Sequence, residues 1–163
     1  MKKMIFLFFG LCLYININAQ LVFKTGSFLM EVNANSEIVK LLDLKDNINY
    51  APGLHPGYLV RVKSSGKDLA PLQMNVKKNI LYFTFEAGIE LHVQADEKND
   101  YLRFELKNPV HPEKIDAVLW GPFNTTINET IGEVVGVTRN KEFAIGIQSL
   151  NPKTAGGKIN NDE

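Results

Sequence analysis

The chain has 163 residues, 45% hydrophobic and 22% charged, with 18 basic and 18 acidic side chains balancing to zero formal charge. That length and composition fit one ordinary globular domain. Zero net charge excludes an electrostatic nucleic-acid binder, which needs a basic face.

Lys2 and Lys3 precede an apolar run from Met4 to Ile15, and small Ala19 then stands where signal peptidase takes its −1 residue. This is the pattern of a secretory signal peptide over residues 1–19. The apolar run is shorter than the ~20 residues a membrane-crossing helix needs. No membrane span is therefore expected after cleavage. Cys12 lies inside the run behind bulky Leu11, a setting that does not suit lipidation. Cleavage removes Lys2, Lys3 and the single cysteine. The remaining domain, residues 20–150, then has no disulfide, thiol nucleophile or cysteine metal ligand. These features imply an exported bacterial protein, periplasmic or extracellular, held by its core alone. A chain of this size can bury about two-thirds of its unfolded surface, which is enough.

Leu21 to Phe23 starts a strand, and Lys24 to Ser27 punctuates it. Phe28 to Val32 follows as a strand with Phe28, Met30 and Val32 on one face. Glu37 to Leu44 (EIVKLLDL) reads as a strand over a short helix, on its length and β-branched content. Pro52, Gly53, Pro56 and Gly57 break the next stretch. Tyr58 to Val62 is a strand, turned by Ser64 to Asp68. Leu72 to Val76 places Leu72, Met74 and Val76 on one face.

Three strands then alternate with period two. Ile80 to Phe85 aligns Leu81, Phe83 and Phe85. Ile89 to Val93 sets Ile89, Leu91 and Val93 against Glu90 and His92. Tyr101 to Lys107 sets Leu102, Phe104 and Leu106 against Arg103 and Glu105. Such alternation marks strands with one solvated face. Glu86 to Gly88 and Asp96 to Asp100 are their hairpin turns. Ile115 to Trp120 is apolar on both faces, so a central strand is expected. Glu133 to Arg139 and Phe143 to Leu150 should pair around a two-residue turn, Asn140-Lys141. Residues 151–163 form a polar, Gly-rich tail. The fold class is all-β, an antiparallel sandwich of roughly nine or ten short strands.

Little of this carries recognisable chemistry. His55 and His111 each precede a proline and His92 faces outward, so the three lack metal-ligand spacing and no metal is assigned. Asp96, Glu97 and Asp100 lack the central Gly and alternate oxygens of a calcium loop. Glu129 and Glu133 flank Ile131-Gly132, and paired carboxylates can work on a glycosidic bond. Glu133 can equally pair with Arg139 or Lys141. There is no GxSxG nucleophile motif, and GEVVG lacks the Lys-Ser/Thr of a phosphate loop. No catalytic residue and no cofactor is assigned.

The segment from Trp120 to Gly157 stands apart. Trp120, the only tryptophan, is followed by Gly121-Pro122-Phe123. An indole beside a kinked Gly-Pro can offer a flat platform to a sugar. Asn124, Thr125, Thr126 and Asn128 can supply hydrogen bonds beside it, as polar groups in an apolar pocket do. Two other readings stand open: Trp120 as core, since Trp is usually well buried, and Trp120 as part of a partner surface. The ligand or partner contact set is Trp120, Phe123, Asn124, Thr125, Asn128, Glu129 and Glu133.

Two stretches resemble known proteins. SFLMEVNANSEIVKLLDLKDNINYAP, with Leu42, Asp43, Leu44 and Asn49-Tyr50, resembles the first hairpin of galactose-mutarotase-like supersandwich domains. WGPFNTTINETIGEVVGVTRNKEFAIGIQSLNPKTAGG resembles a segment in the N-terminal β-domains of large secreted glycoside-hydrolase-like proteins. The resemblance implies a supersandwich-like domain, incomplete in this chain, and two partners, a glycan and a catalytic domain further along a longer protein. It implies an exported, non-catalytic module associated with carbohydrate processing. Two other functions remain: a small envelope assembly protein pairing through a sheet edge, and a glycoside-acting enzyme using Glu129 or Glu133 with a histidine.

Overall fold

A computed structural model describes residues 20–132 and 136–155. The expected signal peptide, residues 1–19, residues 133–135, and the end of the tail, residues 156–163, lie outside the described residues. The fold is all-β, built of antiparallel sheets in the manner of a sandwich. Its helical content among the described residues is two 3-10 turns, Glu86–Gly88 and Pro112–Lys114.

The first sheet comprises β1 (Leu21–Lys24), β2 (Phe28–Val32), β3 (Glu37–Asp43), β4 (Ile48–Asn49) and β5 (Gly57–Tyr58). Its order is β1-β2-β3-β4, with β5 also on β3. The ambiguous run EIVKLLDL is strand β3. Its buried residues Ile38 and Leu41 are three apart, a spacing that mimics a helix. The cause is a bulge: Glu31 pairs with Lys40 and Val32 with Ile38, so Val39 is an extra residue in β3. An inserted residue shifts which side chains face inward.

The chain then crosses between sheets. Tyr58 to Val62 is not one strand, because β5 pairs with β3 while β6 (Val60–Ser64) belongs to a second sheet. Leu59 between them is fully buried, and its N–H donates to the Ser36 carbonyl at 3.1 Å. The second sheet runs in the order β12 (Ala117–Trp120), β6, β7 (Lys67–Leu69). The β6–β7 turn is Ser65-Gly66, with φ of 49° and 75°, as a two-residue hairpin turn demands. β12 therefore lies at a sheet edge, not at the centre. Its residues are all half-buried, so both apolar faces are used without a strand on each side.

The third sheet is the alternating meander: β8 (Gln73–Lys77), β9 (Ile80–Thr84), β10 (Glu90–Glu97) and β11 (Leu102–Leu106), ordered β11-β10-β9-β8. Leu81, Phe83, Leu91 and Val93 are essentially inaccessible, as their alternation requires. Of the β8 trio only Met74 is buried. Leu72 and Val76 remain 60% and 47% exposed, because β8 is the edge strand and little covers its ends.

The fourth sheet is β13 (Thr130–Gly132), β14 (Val137–Arg139) and β15 (Ala144–Gly146). Arg139 pairs with Ala144, so the β14–β15 loop has four residues, Asn140 to Phe143, rather than two. Asn140 does not adopt positive φ. Its side-chain oxygen instead accepts the N–H groups of Glu142 and Phe143 at 3.0 and 2.7 Å, a side-chain mimic of a backbone turn.

One hydrophobic cluster joins the sheets, with Phe23, Met30 and Leu41 from the first, Val60 and Val62 from the second and Phe83 and Leu91 from the third. Phe23 of β1 meets Phe104 of β11 edge-on, with ring centres 5.5 Å apart. The first and third sheets are also tied by main chain. Gly26 N–H donates to the Asn99 carbonyl at 2.6 Å, and Met74 N–H to Ala34 at 3.0 Å.

Candidate functional site

β12 ends at Trp120, and the chain then runs without regular structure to Ile127, which is buried in the core. These two residues fix the ends of a strap. Trp120 and Phe123 are half-buried and pack on the outside of the hydrophobic cluster. Gly121 has φ of 89°, and a side chain there would also meet the Phe123 ring at 2.8 Å. Only glycine satisfies both conditions. The Gly121–Pro122 bond is cis.

The strap lies on the loop before β5. The backbone at Gly57 approaches so closely that a Cβ would stand 2.1 Å from the Pro122 oxygen and 2.8 Å from the Asn124 nitrogen. Arg61 Nε donates to the Gly121 carbonyl at 3.1 Å, and Arg61 also pairs with Asp68 at 3.3 Å. Asn124 Nδ2 donates to the His55 carbonyl at 2.9 Å. Thr125 Oγ1 accepts the Ile127 N–H at 3.3 Å. Both side chains thus serve the strap itself. Thr126 N–H and hydroxyl both donate to the Tyr50 carbonyl, at 2.8 and 3.3 Å.

Tyr50 binds the strap to the fourth sheet. Its ring is buried and stacks on Phe143, with centres 5.0 Å apart and planes 8° from parallel. Its hydroxyl accepts from Asn140 Nδ2 at 3.0 Å. Thr138 Oγ1 donates to the Ile127 carbonyl at 3.3 Å. Tyr50→Phe keeps the stacking and loses the hydroxyl bond. We expect it to lower stability by about 1 kcal/mol in urea denaturation, the usual net value of one hydrogen bond. Asn140→Ala should cost more, because it also strips the acceptor of two loop N–H groups.

The structure thus gathers Trp120, Phe123, Asn124 and Thr125 on one strap. Asn128 and Glu129 continue from it and are exposed. Glu133 is outside the described residues, so Glu129 stands in the structure without the second member of its pair. Tyr50, Gly57, Arg61 and Phe143 belong to the site and were not read as site residues from sequence. Tyr50 entered only through the Asn49-Tyr50 phrase of the resemblance, and the Pro56-Gly57 breaker reports a turn rather than a close approach.

Several other titratable groups are engaged locally. His92 Nε2 contacts Glu90, and its ring packs on Tyr82 with centres 4.7 Å apart. His111 Nδ1 lies 3.1 Å from Glu113. The Gln94 amide holds the Asp96 carboxyl below its ordinary value, helped by Lys98 and Arg103 and opposed by desolvation. The Lys107 ammonium does the same for Glu105. Glu97 Oε1 accepts the Lys24 N–H at 2.9 Å. Among the described residues no three His, Cys, Asp or Glu side chains converge on a metal position, and no described helix is long and apolar enough to cross a membrane.

The chain matches no family model, no curated protein and no solved structure.

Proposed function

We propose that this chain is an exported, non-catalytic β-sandwich module associated with carbohydrate processing, which presents the Trp120 strap to a glycan or to the catalytic part of a glycan-active protein. The carrying observation is the way the strap is held. Gly57, Tyr50 and Arg61 hold its backbone, while Trp120 and Phe123 pack on the core and keep part of their surface accessible. A rigid backbone beneath a partly open indole suits binding, because little conformational freedom is lost when the ligand arrives. Exposed Asn128 and Glu129 lie next along the chain and offer polar partners. The resemblance to supersandwich domains of glycoside-hydrolase-like proteins points to the same class of ligand.

Affinity electrophoresis of the full-length chain through gels holding soluble polysaccharides checks this reading. We expect retardation by at least one polysaccharide, weakened at least tenfold in Trp120→Ala. Equal mobility in every gel, for both proteins, would remove the glycan from the proposal.

A further inference from the structure

A cavity of about 440 Å³ opens beside β1, away from the strap. Its walls are β1, the β8–β9 turn and the end of β10, and Val76, Leu81 and Ala95 give it an apolar lining. β1 is the edge strand of its sheet. Thr25 N–H donates to Phe28, and Phe23 pairs with Met30, so alternate residues Leu21 and Phe23 bond to β2. The same alternation turns the N–H and C=O groups of Val22 and Lys24 outward. The Lys24 N–H is already taken by the exposed Glu97 carboxylate of β10, which closes one end of the edge. Among the described residues no strand pairs with the outer side of β1, and Val22, which lines the cavity, is 46% exposed.

The charges at the cavity favour one kind of occupant. Lys98 follows Glu97 at the closed end, and Lys78 stands in the β8–β9 turn. Both are exposed, and neither has an ion-pair partner among the described residues. Of the nearby acids, Glu97 accepts the Lys24 N–H, and Asp96 is bonded by Gln94 and lies 3.9 Å from Arg103, with Lys98 acting on it from further away. We infer that this groove receives a short extended peptide of a partner protein, aliphatic in its middle and acidic at its ends, which adds as a strand to β1 at Val22. Main-chain bonds to Val22 give it direction, an aliphatic side chain covers Val76 and Ala95, and its carboxylates meet Lys78 and Lys98. This is strand addition, in which the sheet edge supplies affinity and the flanking pockets supply selectivity. A second copy of this chain fits less well, because β1 against β1 would bring two sets of unpaired lysines together. The inference does not depend on the carbohydrate reading, which concerns the strap.

Fluorescence anisotropy with two labelled peptides tests it, Asp-Val-Thr-Ile-Thr-Val-Glu and the same sequence ending in Lys at both ends. With the full-length chain, the acidic peptide should bind at least tenfold more tightly than the basic one. Val22→Pro removes an outward N–H but no β1–β2 bond, a position where an edge strand tolerates proline. It should abolish binding while the circular dichroism stays unchanged. The double variant Lys78→Glu, Lys98→Glu leaves the β1 main chain intact and should reverse the preference between the peptides. Equal binding of both peptides, no binding of either at 1 mM (about 4 kcal/mol of affinity), or binding indifferent to Val22→Pro overturns the inference. So does concentration-dependent dimerisation that Val22→Pro abolishes, which would assign the edge to a second copy.

Discussion

Gly57→Ala should destabilise the protein by about 3 kcal/mol, near the upper end of what overpacking costs. Gly57 is not held by an unusual φ, since only Gly66, Gly88 and Gly121 among the described glycines have positive values. Space is the constraint. The new methyl would lie 2.1 Å from the Pro122 oxygen, 2.8 Å from the Asn124 nitrogen and 3.1 Å from the Pro122 carbonyl carbon. All three are main-chain atoms and cannot swing aside as a side chain would. The strap has to lift, which strains the Asn124–His55 bond and the Gly121 N–H bond to Leu59. Urea denaturation measures the loss. Trp120 is the only tryptophan, so its emission reports on the strap directly. We expect a red shift in native buffer, before global unfolding. Gly53→Ala is the control, because a Cβ there meets nothing within 4 Å. Equal stability of the two variants would mean that the strap does not rest on β5.

Phe83→Ala is the second large effect, a loss of about 4 kcal/mol by the usual cost of deleting a buried aromatic ring. Phe83 has no accessible surface and sits mid-strand in β9, between Met74 of β8 and Leu91 of β10. Its neighbours come from a close-packed cluster, so the vacated space cannot collapse fully. Tyr82 is the comparison. It lies one residue away on the solvated face, half-buried against His92. Tyr82→Ala should cost about 1 kcal/mol, the scale of an exposed cross-strand pair. Thermal unfolding followed by circular dichroism separates the two by roughly 10 °C, at several degrees per kcal/mol for a chain this size. Similar losses from both would contradict the assignment of faces.

The inner faces of β9 and β10 were legible, although β10 runs on to Glu97 through residues expected in a turn and β11 is half-buried along its whole length. Leu81, Phe83, Leu91 and Val93 alternate with polar residues, and that period can be satisfied by a strand with one wet face. The bulge at Val39 was not legible, because Ile38 and Leu41 lie three apart and imitate a helix. The edge position of β12 was also hidden. An apolar run on both faces suggests a central strand, yet here Val118 and Trp120 pack on the core and β12 pairs only with β6 among the described strands. The short strands β4, β7 and β13 have two or three residues each, too few to show any period.

The strap shows the same division. Trp120, Gly121 and Phe123 mark an unusual segment in the sequence, and they do occupy one. Asn124 and Thr125 also stand there, but their hydrogen bonds go to His55 and Ile127, which lie on the protein's own chain. The residues that hold the strap, Tyr50 and Gly57, precede it by more than sixty positions. Local pattern determined the class of fold, the inner faces of β9 and β10 and the segment worth testing. Those follow from periodicity and turn chemistry, which act between neighbours in the chain. Tertiary structure alone decided which strands became edges, that Gly57 must lack a side chain, and that β1 leaves Val22 open to a groove. Each of these depends on what a distant part of the chain places alongside, and no local pattern encodes that.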